Sequence, residues 1–123
     1  MISLHVYLSS LPDKFSDLEV AVSETWLPAM AKQPGFINAY LLQPFNDIEL
    51  KKIDANIPDH DLEIVAFWAS EQERLEWVAR PIHDQVFFPQ AVLTRVVRMD
   101  IFERCIVSTS TLPRCIQWWQ SRR

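Results

Sequence analysis

A single glycine, Gly35, stands in this chain of 123 residues. That scarcity removes whole classes of fold and cofactor. A Walker loop or a dinucleotide-binding fingerprint needs several glycines, because only glycine lets backbone amides come close to a phosphate. Neither motif can be written in this sequence. Phosphate-bearing cofactors held in those ways are excluded, and no cofactor or metal is expected.

With glycine so scarce, periodicity and proline mark out the elements. ISLHVYLS alternates apolar and polar residues, the period of a half-buried strand. Ile2, Leu4, Val6 and Leu8 share one face; Ser3, His5, Tyr7 and Ser9 share the other. The spacing then becomes helical, with Phe15, Leu18, Val22, Trp26 and Ala29 recurring every three or four residues. Pro12 suits the first turn of this helix, and Ser16 with Glu19 fits a capping box if it begins a turn later. Pro28 is expected to kink or end it, and Gly35 to turn the chain. FINAYLLQ reads as a second strand. A long polar connection bounded by Pro44 and Pro58 follows, with the character of a lid. DLEIVAFWA reads as a third strand, and SEQERLEWVAR as a helix with Ser70 as N-cap and Glu73 as its partner. Leu75, Val78 and Ile82 form its expected apolar stripe. Pro81 breaks this helix, a second helical piece runs on through IHDQVFFPQAV, and LTRVVRMDIFE is the last strand.

Strand, helix, strand, strand, helix, strand is the order of the ferredoxin-like unit. It predicts an α+β chain with an antiparallel sheet and its helices on one face. Residues 1–104 make up this domain and 105–123 a C-terminal tail. The uncovered sheet face carries Tyr7, Tyr40 or Leu41, Trp68 or Phe67, and Val96 or Val97, depending on register. An apolar face of that size belongs to an interface or a ligand site. A twofold partner laid sheet against sheet is the simplest cover, so a homodimer is expected.

Charge and cysteine content narrow the partners. The net charge is −4, with positive residues scattered except for Arg122–Arg123, which argues against a nucleic-acid surface. No apolar run approaches the roughly 20 residues that span a bilayer. MISLHVYLSS is too short and too polar for a signal peptide and lacks a basic n-region, and Cys105 and Cys115 read as free thiols, so a cytoplasmic location is expected.

The strand order, the turn at Pro34–Phe36 and the stretch EIVAFWASEQERLEWVARPIHDQVF together resemble the dimeric α/β-barrel superfamily over about residues 1–103. That superfamily includes the antibiotic-biosynthesis monooxygenases, the heme-degrading monooxygenases, and the stress-responsive barrels with olivetolic acid cyclase. The cyclase-like branch has a histidine on the first strand and an His-Pro-x-His turn after the second helix. His5 and His83 match these, with Arg80 in place of the leading histidine of Arg80–His83. Trp77 stands where that branch has a tyrosine, and Leu62 where it has a further histidine. The heme-degrading branch is matched at Trp77, but Phe87 occupies the place of its heme-ligating histidine. The oxygenase branch uses a polar and aromatic pocket without metal or flavin, for which Asn38, Tyr40, Trp68, Trp77 and Arg98 are counterparts.

The resemblance implies a cofactor-free enzyme of polyketide or aromatic metabolism acting on a hydrophobic small molecule. His5 and His83 are its expected catalytic residues, aimed from two elements into one cavity for proton transfer in cyclisation, C–C rearrangement or dehydration. Tyr7, Tyr40, Trp68, Trp77 and Phe87 are expected to bind the substrate. One alternative is a cofactor-independent monooxygenase; another is a non-catalytic barrel that binds an apolar ligand. His60, between Asp59 and Asp61, reads as a solvated loop residue, since consecutive side chains rarely converge on one metal ion. Glu63 reads as a rim residue, and the tail with Trp118 and Trp119 as a segment docked on the body or on a partner.

Overall fold

The computed structural model describes residues 1–107. Four strands, β1 (Ile2–Ser10), β2 (Phe36–Leu42), β3 (Leu62–Trp68) and β4 (Thr94–Phe102), form one sheet in the order β2-β3-β1-β4. Every neighbouring pair is antiparallel. The helices are α1 (Phe15–Ala21), α2 (Leu27–Ala31), α3 (Asp47–Lys52), α4 (Glu71–Ala79) and α5 (Pro81–Phe87). A π-helical turn at Val22–Trp26 joins α1 to α2, and a 3-10 turn at Phe88–Val92 follows α5. This is the expected ferredoxin-like α+β fold. No helix among the described residues is long and apolar enough to cross a membrane.

The alternation in β1 sets the layers. Ile2, Val6 and Leu8 are buried with Leu62, Ile64, Ala66 and Trp68 of β3. Leu18, Val22, Trp26, Met30, Trp77 and Val86 cover them from the helices. The register pairs Ile2 with Trp68 and Leu8 with Leu62, so even-numbered residues of both strands face the helices. Ser3, His5 and Tyr7 therefore lie on the other face with Glu63, Val65 and Phe67.

Three local readings change. Pro28 does not end its helix; it sits in the first turn of α2. The π turn accommodates it: the Leu27 N–H donates to the Val22 carbonyl, five residues back, and α2 follows directly. No side chain caps α1, whose N-cap is Lys14, so the Ser16–Glu19 box does not form and Pro12 lies outside the helix. In α4 the expected stripe is exposed at Leu75 and Val78, and Trp77 is buried instead. The indole has far more apolar area to bury than either aliphatic chain, and a nine-residue helix rotates to satisfy it. The Ser70 cap is as expected: Glu73 N–H donates to Ser70 Oγ at 3.2 Å, and Ser70 Oγ–H donates to the Glu73 carboxylate at 3.0 Å.

Turns are made with little help from glycine. Asp13 and Asp54 take left-handed conformations (φ 62° and 55°), which aspartate tolerates better than most residues. Gly35 has φ 85° and accepts a 2.7 Å hydrogen bond from the Ala69 N–H. A Cβ there would overlap the Glu73 side chain. Gly35→Ala is expected to lower stability by about 1–2 kcal/mol from the left-handed backbone alone, with the Glu73 overlap adding to it. A urea titration showing an unchanged midpoint would refute this.

Candidate functional site

The sheet divides the residues expected to share a cavity. His5, Tyr7 and Tyr40 lie on its open face; Trp68, Trp77, His83 and Phe87 lie on its helix-covered face. His5 and His83 therefore do not converge. The cause is parity: His5 is an odd-numbered residue of β1, while the helices pack on the even-numbered ones. Trp68, which register left undecided, is on the helix side and fully buried (0% exposed).

On the helix side, Pro81 begins α5 after Arg80 leaves helical geometry (ψ 144°). The Arg80 guanidinium donates to Gln33 Oε1 at 3.1 Å, and Gln33 Nε2 donates to the Ala29 carbonyl at 3.1 Å. This tie between α2 and α5 fixes where the new helix starts. Two residues on, the His83 imidazole stacks on Phe87 (centroids 5.9 Å apart, planes at 8°) and meets the edge of Trp77 at 5.1 Å. Phe87 meets Trp26 edge-on at 5.6 Å. His83 is 17% exposed at its side chain, and its Nδ1 lies 3.3 Å from Asp84 Oδ1. The imidazole is thus largely desolvated by aromatic rings, with one carboxylate beside it. Deeper in the layer, Trp68 Nε1 is buried with no hydrogen-bond partner among the described residues. Such donors are rare and call for a physical reason.

The open face is more polar than alternation alone implied. His5 Nδ1 lies 2.8 Å from Glu63 Oε2, and His5 Nε2 lies 3.3 Å from Ser3 Oγ. Phe102 meets the His5 ring edge-on at 5.0 Å. One row along, the Arg98 guanidinium stands 4.0 Å from the Tyr7 ring centroid and donates to Asp59 Oδ1 at 2.8 Å. Burial, then the charges of Glu63 and Asp100, push the Tyr7 phenol above its usual range, while Arg98 pulls the other way. Partial desolvation works against ionisation of Asp59, but hydrogen bonds from Arg98 and His60 hold its carboxyl below the usual range.

Two readings of this region need correction. Glu63 is no solvent-facing rim residue; it is the partner of His5. His60 is no solvated loop residue: its ring packs edge-on against Tyr7 at 4.8 Å, and its side chain is 11% exposed. Antiparallel pairing of β1 with β3 puts Glu63 opposite Tyr7 and diagonal to His5, which only the register reveals. Asp59 and Asp61 diverge, one to Arg98 and the other to Ser10, whose hydroxyl donates to Asp61 Oδ2 at 2.5 Å.

The long connection is partly ordered by α3, capped by Asn46 accepting from the Glu49 N–H at 2.9 Å. A cavity of about 420 Å³ opens between its two ends, walled by Phe15, Phe45, Ile57 and His60. Neither His5 nor His83 lines it. The tail residues Trp118 and Trp119 lie outside the described residues.

Solved structures share this fold at low sequence identity. SnoaB, a cofactor-independent oxygenase from Streptomyces nogalater, superposes with a TM-score of 0.65 at 17% identity, covering 91% of this chain and 96% of its own. HapK from Hahella chejuensis gives 0.73 at 10% identity, covering 90% and 99%. A candidate antibiotic biosynthesis monooxygenase from Deinococcus radiodurans gives 0.67 at 14% identity, also covering 90% and 99%. No family model matches the sequence, and no curated protein matches it.

Proposed function

We propose that this chain is a cofactor-free oxygenase of a phenolic or otherwise enolisable apolar small molecule, with His83 as its base. The observation that carries the reading is the His83 imidazole held between Trp77 and Phe87 in the helix-side layer. Aromatic walls suit a flat apolar substrate, and a desolvated imidazole suits removal of one acidic proton from it. The resulting carbanion or enolate is electron-rich enough to react with O₂ without a metal. Cyclisation or dehydration by a histidine pair needs His5 and His83 in one cavity, and the sheet stands between them. The shared fold with SnoaB, itself a cofactor-independent oxygenase, agrees with oxygenation. The protein works as a homodimer that covers the open face.

The test is oxygen uptake by the full chain with a panel of anthrone-like and hydroquinone substrates. Uptake should track substrate loss. His83→Ala should reduce turnover about 10²–10⁴-fold, the usual contribution of a positioned base, and His5→Ala should leave it nearly unchanged. Product formation at the same rate without oxygen would instead favour proton-transfer chemistry alone. Saturable ligand binding without turnover would favour the non-catalytic barrel.

A further inference from the structure

The helix layer covers β1 and β3 but leaves β4 open. Directly paired strand residues point to the same face. Val96, Met99 and Ile101 pair with Leu8, Val6 and Leu4, so they lie on the helix side. Val6 and Leu8 are buried there, yet Val96, Met99 and Ile101 are 39%, 60% and 49% exposed. Among the described residues, the core cluster takes in Trp77 and Val86 from the helices but none from β4. β4 is also an end strand of the sheet, so its outer N–H and C=O groups have no strand partner among the described residues. An apolar edge of this kind invites pairing with other chains unless something covers it.

α4 borders the same gap. Glu73 packs against Gly35 at the entry to β2, and Glu76 lies 3.8 Å from Arg80, which donates to Gln33. These positions mark the flank of α4 turned toward β2. At about 100° per residue, Val78 falls on the opposite flank. β4 stands at the other edge of the sheet from β2, so Val78 is on the β4 side. Val78 is exposed, as is Leu75 beside it. This apolar gap is on the face opposite to the one a sheet-to-sheet dimer covers.

The chain itself carries a segment that fits. β4 ends at Phe102, next to the strip, and residues 108–123 follow the described ones. The strip from Ile101 to Val96 is about 17 Å long at the rise of a strand. Residues 108–123 reach about 24 Å even at the short rise of a helix. They hold Leu112, Ile116, Trp118 and Trp119, together with Arg114, Arg122 and Arg123 and no acidic residue. All 16 acidic residues lie before them, with only nine of the 12 basic ones, so charge draws this segment back onto the body. We propose that residues 108–123 dock along β4 of their own subunit on the helix side, with Trp118 and Trp119 over Met99 and Ile101. Docked there, the segment completes the helix layer, shields the outer edge of β4 and leaves the open face to a second copy.

The experiment is mild oxidation of the full chain with hydrogen peroxide, followed at each methionine by peptide mass spectrometry, since thioether oxidation tracks exposure. In the native chain Met99 should oxidise about tenfold more slowly than in the same chain unfolded in urea. The full-length double variant Trp118→Ser, Trp119→Ser should oxidise at Met99 at close to the unfolded rate. Met30, buried in the core, should stay protected in both and report that the fold is intact. A bis-maleimide then tests whose segment it is. In a Cys105→Ser, Met99→Cys chain it should link the new thiol to Cys115 within one monomer on a denaturing gel. Native Met99 oxidising at the unfolded rate would show the strip uncovered and overturn the proposal. Equal protection of Met99 in parent and double variant would assign the cover to a second copy or a bound molecule, and a covalent dimer would assign it to the partner's segment; either result overturns it. The parent oxidation needs no variant to fold, and none of these readouts depends on oxygenase activity.

Discussion

Trp68→Ala is expected to remove about 3–5 kcal/mol of folding free energy, the usual loss when a large buried aromatic is truncated. A domain of this size holds roughly 5–15 kcal/mol in total, so the loss is a large fraction of the stability and should show as a clear fall in the thermal midpoint. The reason is placement. Trp68 ends β3 on the helix-covered face with no exposed surface, and Phe36 meets its ring edge-on at 5.6 Å. Few compensating movements are open, because Ile2 of β1 and Phe36 of β2 flank it in the sheet. Urea denaturation followed by circular dichroism measures the loss; a change below about 1 kcal/mol would contradict the assigned burial.

Trp68→Phe separates shape from polarity. Phenylalanine leaves a smaller void and removes the Nε1–H that has no partner among the described residues. A buried unsatisfied donor costs about 1–3 kcal/mol, so deleting it offsets much of the void. The phenylalanine variant should therefore lie within about 1 kcal/mol of the parent. If it keeps stability but loses oxygen uptake, the indole N–H serves the substrate; if both are kept, the N–H is merely a tolerated defect.

The strands and their order were legible from hydrophobic period and proline, because a half-buried sheet imposes strict alternation. What stayed hidden was relational. Which face Trp68 occupies depends on how β3 pairs with β1, and a one-residue slip would exchange Trp68 for Phe67. The same ambiguity let His5 and His83 be placed together, although His5 shares its face with Glu63 and His83 belongs to the helix layer. Ser3 and Glu63 carried no local signal; each gained its setting from a residue on the same strand face or on another strand. Short helical features were equally invisible. α3 has six residues, too few for periodicity to register, and the π turn before Pro28 is a hydrogen-bond shift rather than a composition. Trp77 was displaced from the expected stripe because counting positions weighs leucine and tryptophan alike, whereas burial energy follows area.

If the chain pairs as the proposed homodimer, Tyr40→Asp is expected to convert it to a monomer at micromolar concentration. Tyr40, Leu42 and Phe102 project from the open face, with Tyr40 51% exposed in the single chain. Phe67 meets the Tyr40 ring edge-on at 6.3 Å, extending the apolar area toward the sheet centre. On the same face Arg98 is ion-paired within the chain to Asp59 and Asp100, so these charges enter a twofold contact already balanced. A buried aromatic at such a contact is worth about 2 kcal/mol or more, at least a 30-fold change in dissociation constant. An aspartate there adds the desolvation of a charge, which deepens the loss. Because Tyr40 is half exposed in the single chain, the substitution should leave the subunit folded. Ile48→Asp on α3, away from the sheet, is the control and should remain dimeric. Sedimentation velocity across a concentration series reads both. A parent chain that sediments as a monomer would remove the twofold cover, and with it the reason to expect any effect at Tyr40.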